Sequence, residues 1–138
     1  MRAVILSAAD RLDIIDVISR ADWAASRRDA AAYADLFTDD AVLDGTQGRH
    51  EGKDALLASL GPIWAAEGPA SLHLTLNPVI EARESSDGHA VTRSILLVVE
   101  PGPPPVLRTT AVITQTLRRS GWSWRISRRT VGTAADAL

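Results

Sequence analysis

From Ser7-Ala-Ala-Asp10 to about Arg28, apolar positions return at three- and four-residue spacing. Ile14, Ile15, Ile18, Ala21 and Ala25 fall opposite Asp13, Asp16 and Ser19 or Arg20, which predicts an amphipathic helix capped by Ser7 or Asp10. Asp29 then caps a second, alanine-rich helix over Ala30 to Phe37. Ala41 to Asp44 reads as a short strand. The three glycines between Gly45 and Gly52 read as a turn, with a further short strand around Arg49. A third helix follows over Lys53 to Ala66. Gly61-Pro62 is expected to break or kink it, because proline lacks the donor and clashes with the preceding turn.

At Ser71 the period changes from helical to two. Leu72, Leu74 and Leu76 alternate with His73, Thr75 and Asn77, and Pro78 predicts an edge or a bulge in this strand, which is expected to reach Glu84. Ser85 to Gly88 reads as a turn and His89 to Glu100 as the returning strand. The Pro101–Pro105 loop holds four prolines, and Val106 to Arg119 is a strand rich in Thr and Val. Ser120-Gly121 turns the chain into a last strand, Trp122 to Thr130, before a frayed tail over 132–138. Three helices and then four long antiparallel strands predict an α+β fold, its helices packed on one face of a curved sheet, in a single domain 1–138 with its core at about 8–131.

Composition narrows the function classes. The chain has 138 residues and no cysteine, so disulfides and thiolate metal sites are excluded. His50, His73 and His89 lack any metal-ligand spacing, so no metal or cofactor is expected. A net charge of −2 gives no pull towards nucleic acid or anionic membranes. The cluster Arg118, Arg119, Arg125, Arg128 and Arg129 therefore reads as a solvated strand face or a dimer rim rather than a nucleic-acid site. The apolar run Ala3–Leu6 is too short for a signal peptide and no window suits a membrane span, so a cytoplasmic protein is expected. Fourteen arginines against one lysine fit a GC-rich bacterial coding sequence. Only six residues are aromatic and four of those are Trp, so each indole must fill much core or pocket volume.

Four segments, read together, carry a resemblance. They are Trp23-Ala-Ala-Ser-Arg-Arg-Asp29 with Leu36-Phe-Thr-Asp-Asp-Ala41, then Gly48-Arg-His-Glu-Gly-Lys-Asp-Ala55, then His73-Leu-Thr-Leu-Asn77, and Gly121-Trp-Ser-Trp-Arg-Ile126. In this order and spacing, across residues 10–130, they resemble the SnoaL-like branch of the nuclear transport factor 2-like superfamily. The resemblance implies a cone-shaped, barrel-like fold, with three N-terminal helices on the concave face of a mainly antiparallel sheet and a pocket between them. It also implies frequent dimerisation through the sheet. The branch includes polyketide cyclases, dehydratases, dehydrochlorinases, isomerases and members of no known activity, so the fold implies no single chemistry.

Within that frame His73 is the leading candidate for chemistry. In the lyase-type members a histidine at this position moves a proton, and an imidazole suits the task because it titrates near neutrality. Read without the resemblance, His73 is first of all a satisfied histidine bonded to backbone in a core or at an edge; the resemblance is what raises the catalytic reading to equal standing. The aspartate that orients the family histidine is replaced here by Ser26, and a neutral hydroxyl stabilises an imidazolium poorly. Asp22, one turn earlier, reaches the same region only if the helix rotates. Trp23, Phe37, Asp40, Trp64 and Asn77 are the expected pocket residues. Trp124 is a further wall or simply core, Trp122 is expected on the dimer-facing side, and the Asp39–Asp40 pair is either an acid–base pair or a turn. The leading expectation is a small, largely apolar organic ligand in a central pocket, handled by a cofactor-free lyase or isomerase with His73 as general acid or base. The alternative is a non-catalytic ligand-binding or dimeric interaction module, and Ser26 favours it.

Overall fold

A computed structural model of the protein describes residues 6–82 and 88–133. Its elements are α1 (Ala8–Arg27), α2 (Ala30–Ala34), β1 (Phe37–Gly45), β2 (Gly48–Glu51), α3 (Lys53–Ala66), β3 (Leu72–Ala82), β4 (His89–Glu100), β5 (Val106–Ser120) and β6 (Ser123–Thr133). The strands form one curved sheet in the order β2-β1-β6-β5-β4-β3. All neighbours pair antiparallel except β1 with β6, which run parallel. The sheet is unclosed, with β2 and β3 as its edges, so the expected barrel is an open one. Most of the expected Ser85–Gly88 turn, the tail beyond Thr133 and the Ala3–Leu6 run up to residue 5 lie outside the described residues.

Helix α1 begins where a capping box predicts. Ser7 Oγ accepts from the Asp10 backbone N–H at 3.0 Å, and Asp10 Oδ2 accepts from the Ser7 N–H at 3.4 Å. It ends at Arg28 in the left-handed conformation (φ 56°), an uncommon choice for a residue other than glycine. The face built from Ile14, Ile18, Ala21, Ala24 and Ala25 is buried. These small side chains let the helix lie close to the sheet. Together with Phe37, Leu56, Leu60, Trp124 and Ile126 they form the main core, where each large apolar side chain contributes about 1.5–3 kcal/mol.

Two helix predictions need correction. The second helix stops at Ala34, and Phe37 opens β1 with its ring fully buried. The third helix runs unbroken through Gly61 and Pro62. Leu56, Leu60 and Trp64 anchor it on both sides of the proline, whose ring is exposed, and packing outweighs the one missing backbone bond. The bulge expected near Pro78 is present: the β3–β4 register shifts between Leu76 and Val79, and Asn77 takes a positive φ of 53°.

The outer face of the sheet carries apolar rows. Leu72, Val99 and Leu107 are register neighbours across β3, β4 and β5, and so are Leu76, Ile95 and Val112. Leu72, Leu74, Leu76, Val79, Ile95 and Leu107 remain substantially exposed. The opposite face holds His73, Thr75, Leu96, Val98, Ile113 and Arg129, turned towards the helices. Trp122 stands fully exposed at the β5–β6 turn, while Trp124 is buried.

Candidate functional site

Helix α1 lies along the start of the free edge of β3 and satisfies two of its backbone donors. Strand residues 73 and 75 point their backbone N–H groups away from β4, one strand repeat apart. Ser26 and Asp22 are one helical turn apart and meet them: Ser26 Oγ accepts from the His73 N–H at 2.9 Å, and Asp22 Oδ2 accepts from the Thr75 N–H at 2.8 Å. The spacings nearly match, since four helical residues rise about 6 Å and two strand residues about 6.6 Å. Asp22 Oδ1 also accepts from the Thr75 hydroxyl at 3.0 Å. The first part of the edge, at His73 and Thr75, is thereby closed by side chains.

The imidazole of His73 finds its carboxylate on another element. Its Nε2 lies 2.7 Å from Glu67 Oε1, and both side chains are largely buried. The Ser71 hydroxyl donates to the same oxygen at 3.1 Å. Glu67 is the C-cap of α3, and Arg28 fastens the segment that follows it by donating to the Gly68 carbonyl at 2.5 Å. The end of α1 thus grips the α3–β3 connection at two points, Gly68 and His73. With Glu67 holding Nε2, the other ring nitrogen, Nδ1, is buried without a partner.

These groups line a cavity of about 350 Å³ between α3, the β1–β2 turn and the inner sheet face. Its walls include Leu60, Ile63, Trp64, Leu96, Val98 and Val131, and its polar groups include Tyr33, Glu67, His73, Arg108 and Arg129. Trp64 meets Tyr33 edge-on, with centroids 5.7 Å apart. Burial pushes the Tyr33 phenol up from its ordinary pKa, so it stays protonated. Burial likewise raises the Asp22 carboxyl, against the opposing pull of Arg129 and the hydrogen bonds from Thr75. Arg129 stacks its guanidinium over the Tyr33 ring at 5.9 Å and is only 4% exposed.

Of the residues read from the sequence, His73 and Trp64 line this cavity. Ser26 stands beside His73 but serves its backbone rather than its ring. Trp23 is 62% exposed and lines a second groove of about 320 Å³ outside, between α1 and Leu72, Leu74 and Leu76, with the Arg27 guanidinium over its ring. Phe37 is sealed in the core. Asn77 is exposed at the bulge, its backbone turned out of the regular strand. Asp40 is exposed and paired with Arg118 at 2.5 Å. None of these three lines the cavity. Trp124 is core, its indole N–H donating to Asp10 at 3.1 Å.

The arginine cluster divides. Arg118, Arg119 and Arg128 pair with Asp40, Asp10 and Asp44, whereas Arg129 turns inward. The cause is a bulge. Leu117 pairs with Ile126 but Thr116 with Arg128, so Ser127 is the extra residue and inverts the alternation beyond it. Sequence reasoning missed Glu67 and Arg129. For Glu67 a signal existed: an acidic residue at a helix C-terminus opposes the helix dipole and is a poor local choice without another partner. Among the described residues no group of three or more His, Asp or Glu is placed to hold a metal ion, and no helix is long and apolar enough to cross a membrane.

Residues 7–130 match the family model of the SnoaL-like domain. Among curated proteins nothing matches. A protein of unknown function with a cystatin-like fold from Nostoc punctiforme shares 22% identity over 93% of both chains, with a TM-score of 0.84. Aln2 from a Streptomyces species shares 16% over 96% of both, at 0.83. A scytalone dehydratase-like protein from Novosphingobium aromaticivorans shares 17% over 89% of this chain and 83% of its own, at 0.74. Identities this low carry the fold and not the chemistry.

Proposed function

This chain belongs to the SnoaL-like domain family, and we propose that it binds a small, largely apolar organic molecule in the cavity between α3 and the sheet and acts on it as a cofactor-free lyase or isomerase. The observation that carries this reading is the His73–Glu67 pair, a 2.7 Å contact on the wall of a cavity of about 350 Å³, within the size range of small-molecule sites. A carboxylate on one ring nitrogen favours the Nε2–H tautomer and leaves Nδ1 as the basic atom, which would act once a bound molecule reaches that buried nitrogen. Glu67 thus answers the objection raised by Ser26, since the carboxylate comes from α3 instead of α1. The dehydratase-like neighbour from Novosphingobium is consistent with proton-transfer chemistry on this scaffold.

A thermal-shift screen of small apolar compounds tests the reading. Hits are expected to stabilise the protein, by about 2.7 kcal/mol at a hundredfold excess over the dissociation constant. Val98→Trp, which fills the cavity, is expected to abolish the shifts; hits that survive it bind elsewhere. His73→Gln is expected to keep binding and to lose any turnover of a hit.

A second reading has a specific observation behind it. Nδ1 is buried without a partner, which favours a binder without chemistry. It predicts that hits bind and remain unchanged over long incubation. The outward apolar rows support the further proposal that the protein pairs with a second copy through β3, β4 and β5.

A further inference from the structure

Arg129 is a buried cation whose neighbouring carboxylates are already engaged. Among the described residues it makes no ion pair and no side-chain hydrogen bond; it lies over the face of Tyr33 and attracts the Asp22 carboxylate from beyond contact distance. Asp22 commits one oxygen to the Thr75 N–H and the other to the Thr75 hydroxyl. Glu67 commits Oε1 to both His73 and Ser71. The second arginine on the cavity, Arg108, is paired with Glu100. A largely buried guanidinium without a hydrogen-bonded counter-charge loses much of its hydration, and the Tyr33 face and the more distant Asp22 carboxylate replace it only in part. The chain nevertheless places it there through the bulge at Ser127, without which the alternation would turn position 129 outward.

We propose that the ligand of this cavity is an organic acid, whose carboxylate is received by Arg129 while Trp64, Leu60, Leu96 and Val98 enclose its carbon body. The proposal rests on the cavity being a ligand site and adds the charge of the ligand. A guanidinium suits the task because its planar fork donates two parallel hydrogen bonds to a carboxylate. The acid also supplies a directly paired counter-ion, whose oxygens, unlike those of Asp22, are free to accept from the guanidinium. The group sits on the same wall system as His73, so a bound acid would have its carboxylate held at a fixed point relative to the imidazole.

The test compares two probes of nearly equal shape, 2-naphthoate and 2-naphthalenemethanol, by isothermal titration calorimetry at pH 7 on the full chain. The acid is expected to bind the unaltered protein at least about tenfold more tightly than the alcohol, the scale of a hydrogen bond to a charged group. In Arg129→Gln the preference is expected to vanish while the alcohol binds as before. Equal binding of the two probes to the unaltered protein overturns the proposal and leaves the apolar cavity standing. A preference that survives in Arg129→Gln overturns it as well. Failure of both probes to bind at millimolar concentration removes the cavity reading and this inference together. Should Arg129→Gln not fold, the ratio in the unaltered protein decides.

Discussion

Ser26 Oγ accepts a hydrogen bond from the backbone N–H of His73 at 2.9 Å, so this serine positions the histidine through its main chain. Removing it leaves an N–H without a partner at the covered edge of β3. Ser26→Ala is expected to lower stability by about 1–2 kcal/mol in chemical denaturation, at unchanged m-value. A loss below a few tenths would mean water replaces the hydroxyl and the contact is incidental.

Glu67 Oε1 lies 2.7 Å from His73 Nε2, and an ionised carboxylate there favours the Nε2–H tautomer. At a pH where the ring is neutral, nitrogen NMR of the unaltered protein is expected to show the Nε2–H tautomer alone. In Glu67→Gln the amide can donate or accept, and a mixture of tautomers is expected. A single tautomer in both proteins would show that Glu67 does not orient the ring.

Asp10 and Asp22 are expected to respond to pH with opposite signs. For Asp10, partial burial disfavours the charge, but hydrogen bonds from Trp124, Arg119 and Ser7 outweigh it and hold the carboxyl below its ordinary value. Its contribution is therefore complete above the unfolded-state value of about 3.9 and is lost as pH falls through the lower folded value. Asp10→Asn is expected to cost about 2 kcal/mol at pH 7 and progressively less in acid. A cost independent of pH would contradict the assignment.

Burial raises the Asp22 carboxyl, so its ionisation opposes folding as pH climbs from about 3.9 through the folded value. Asp22→Asn keeps an oxygen for the Thr75 N–H and removes that penalty. The variant is expected to gain on the unaltered protein between acid and neutral pH, in paired urea titrations. A variant that loses ground over that range would show that the attraction of Arg129 exceeds the desolvation of Asp22.

The outward rows predict self-association. Leu74→Asp is expected to shift sedimentation equilibrium from dimer to monomer while leaving the far-ultraviolet circular dichroism unchanged, because Leu74 lies on the solvent-facing side of its strand. A protein monomeric before substitution would refute the interface.

Elements with strong periodicity were legible in the sequence. The inner face of α1, the two-residue alternation of β3, and β4 and β5 to within a residue all follow from spacing and turn chemistry. The polar half of the site was not, because it depends on long-range geometry. Glu67 and His73 are six residues apart, and contacts from distant α1, Arg28 on Gly68 and Ser26 on the His73 N–H, help hold the connection that brings the side chains together. Arg129 reads as outward under regular alternation, and one extra residue at Ser127 reverses it. The resemblance places Asp40 and Asn77 at the pocket. An ion pair with Arg118 and a left-handed backbone at the bulge account for where they stand instead.

The four indoles divide into two populations: Trp122 and Trp23 face solvent, whereas Trp64 and Trp124 are enclosed. Iodide therefore should quench only the first pair. Replacing both exposed indoles with phenylalanine leaves an emission that arises from Trp64 on the cavity wall and from Trp124 beside Arg119. The protein would then carry its own optical gauge of cavity occupancy, with Trp124 as an internal standard remote from it.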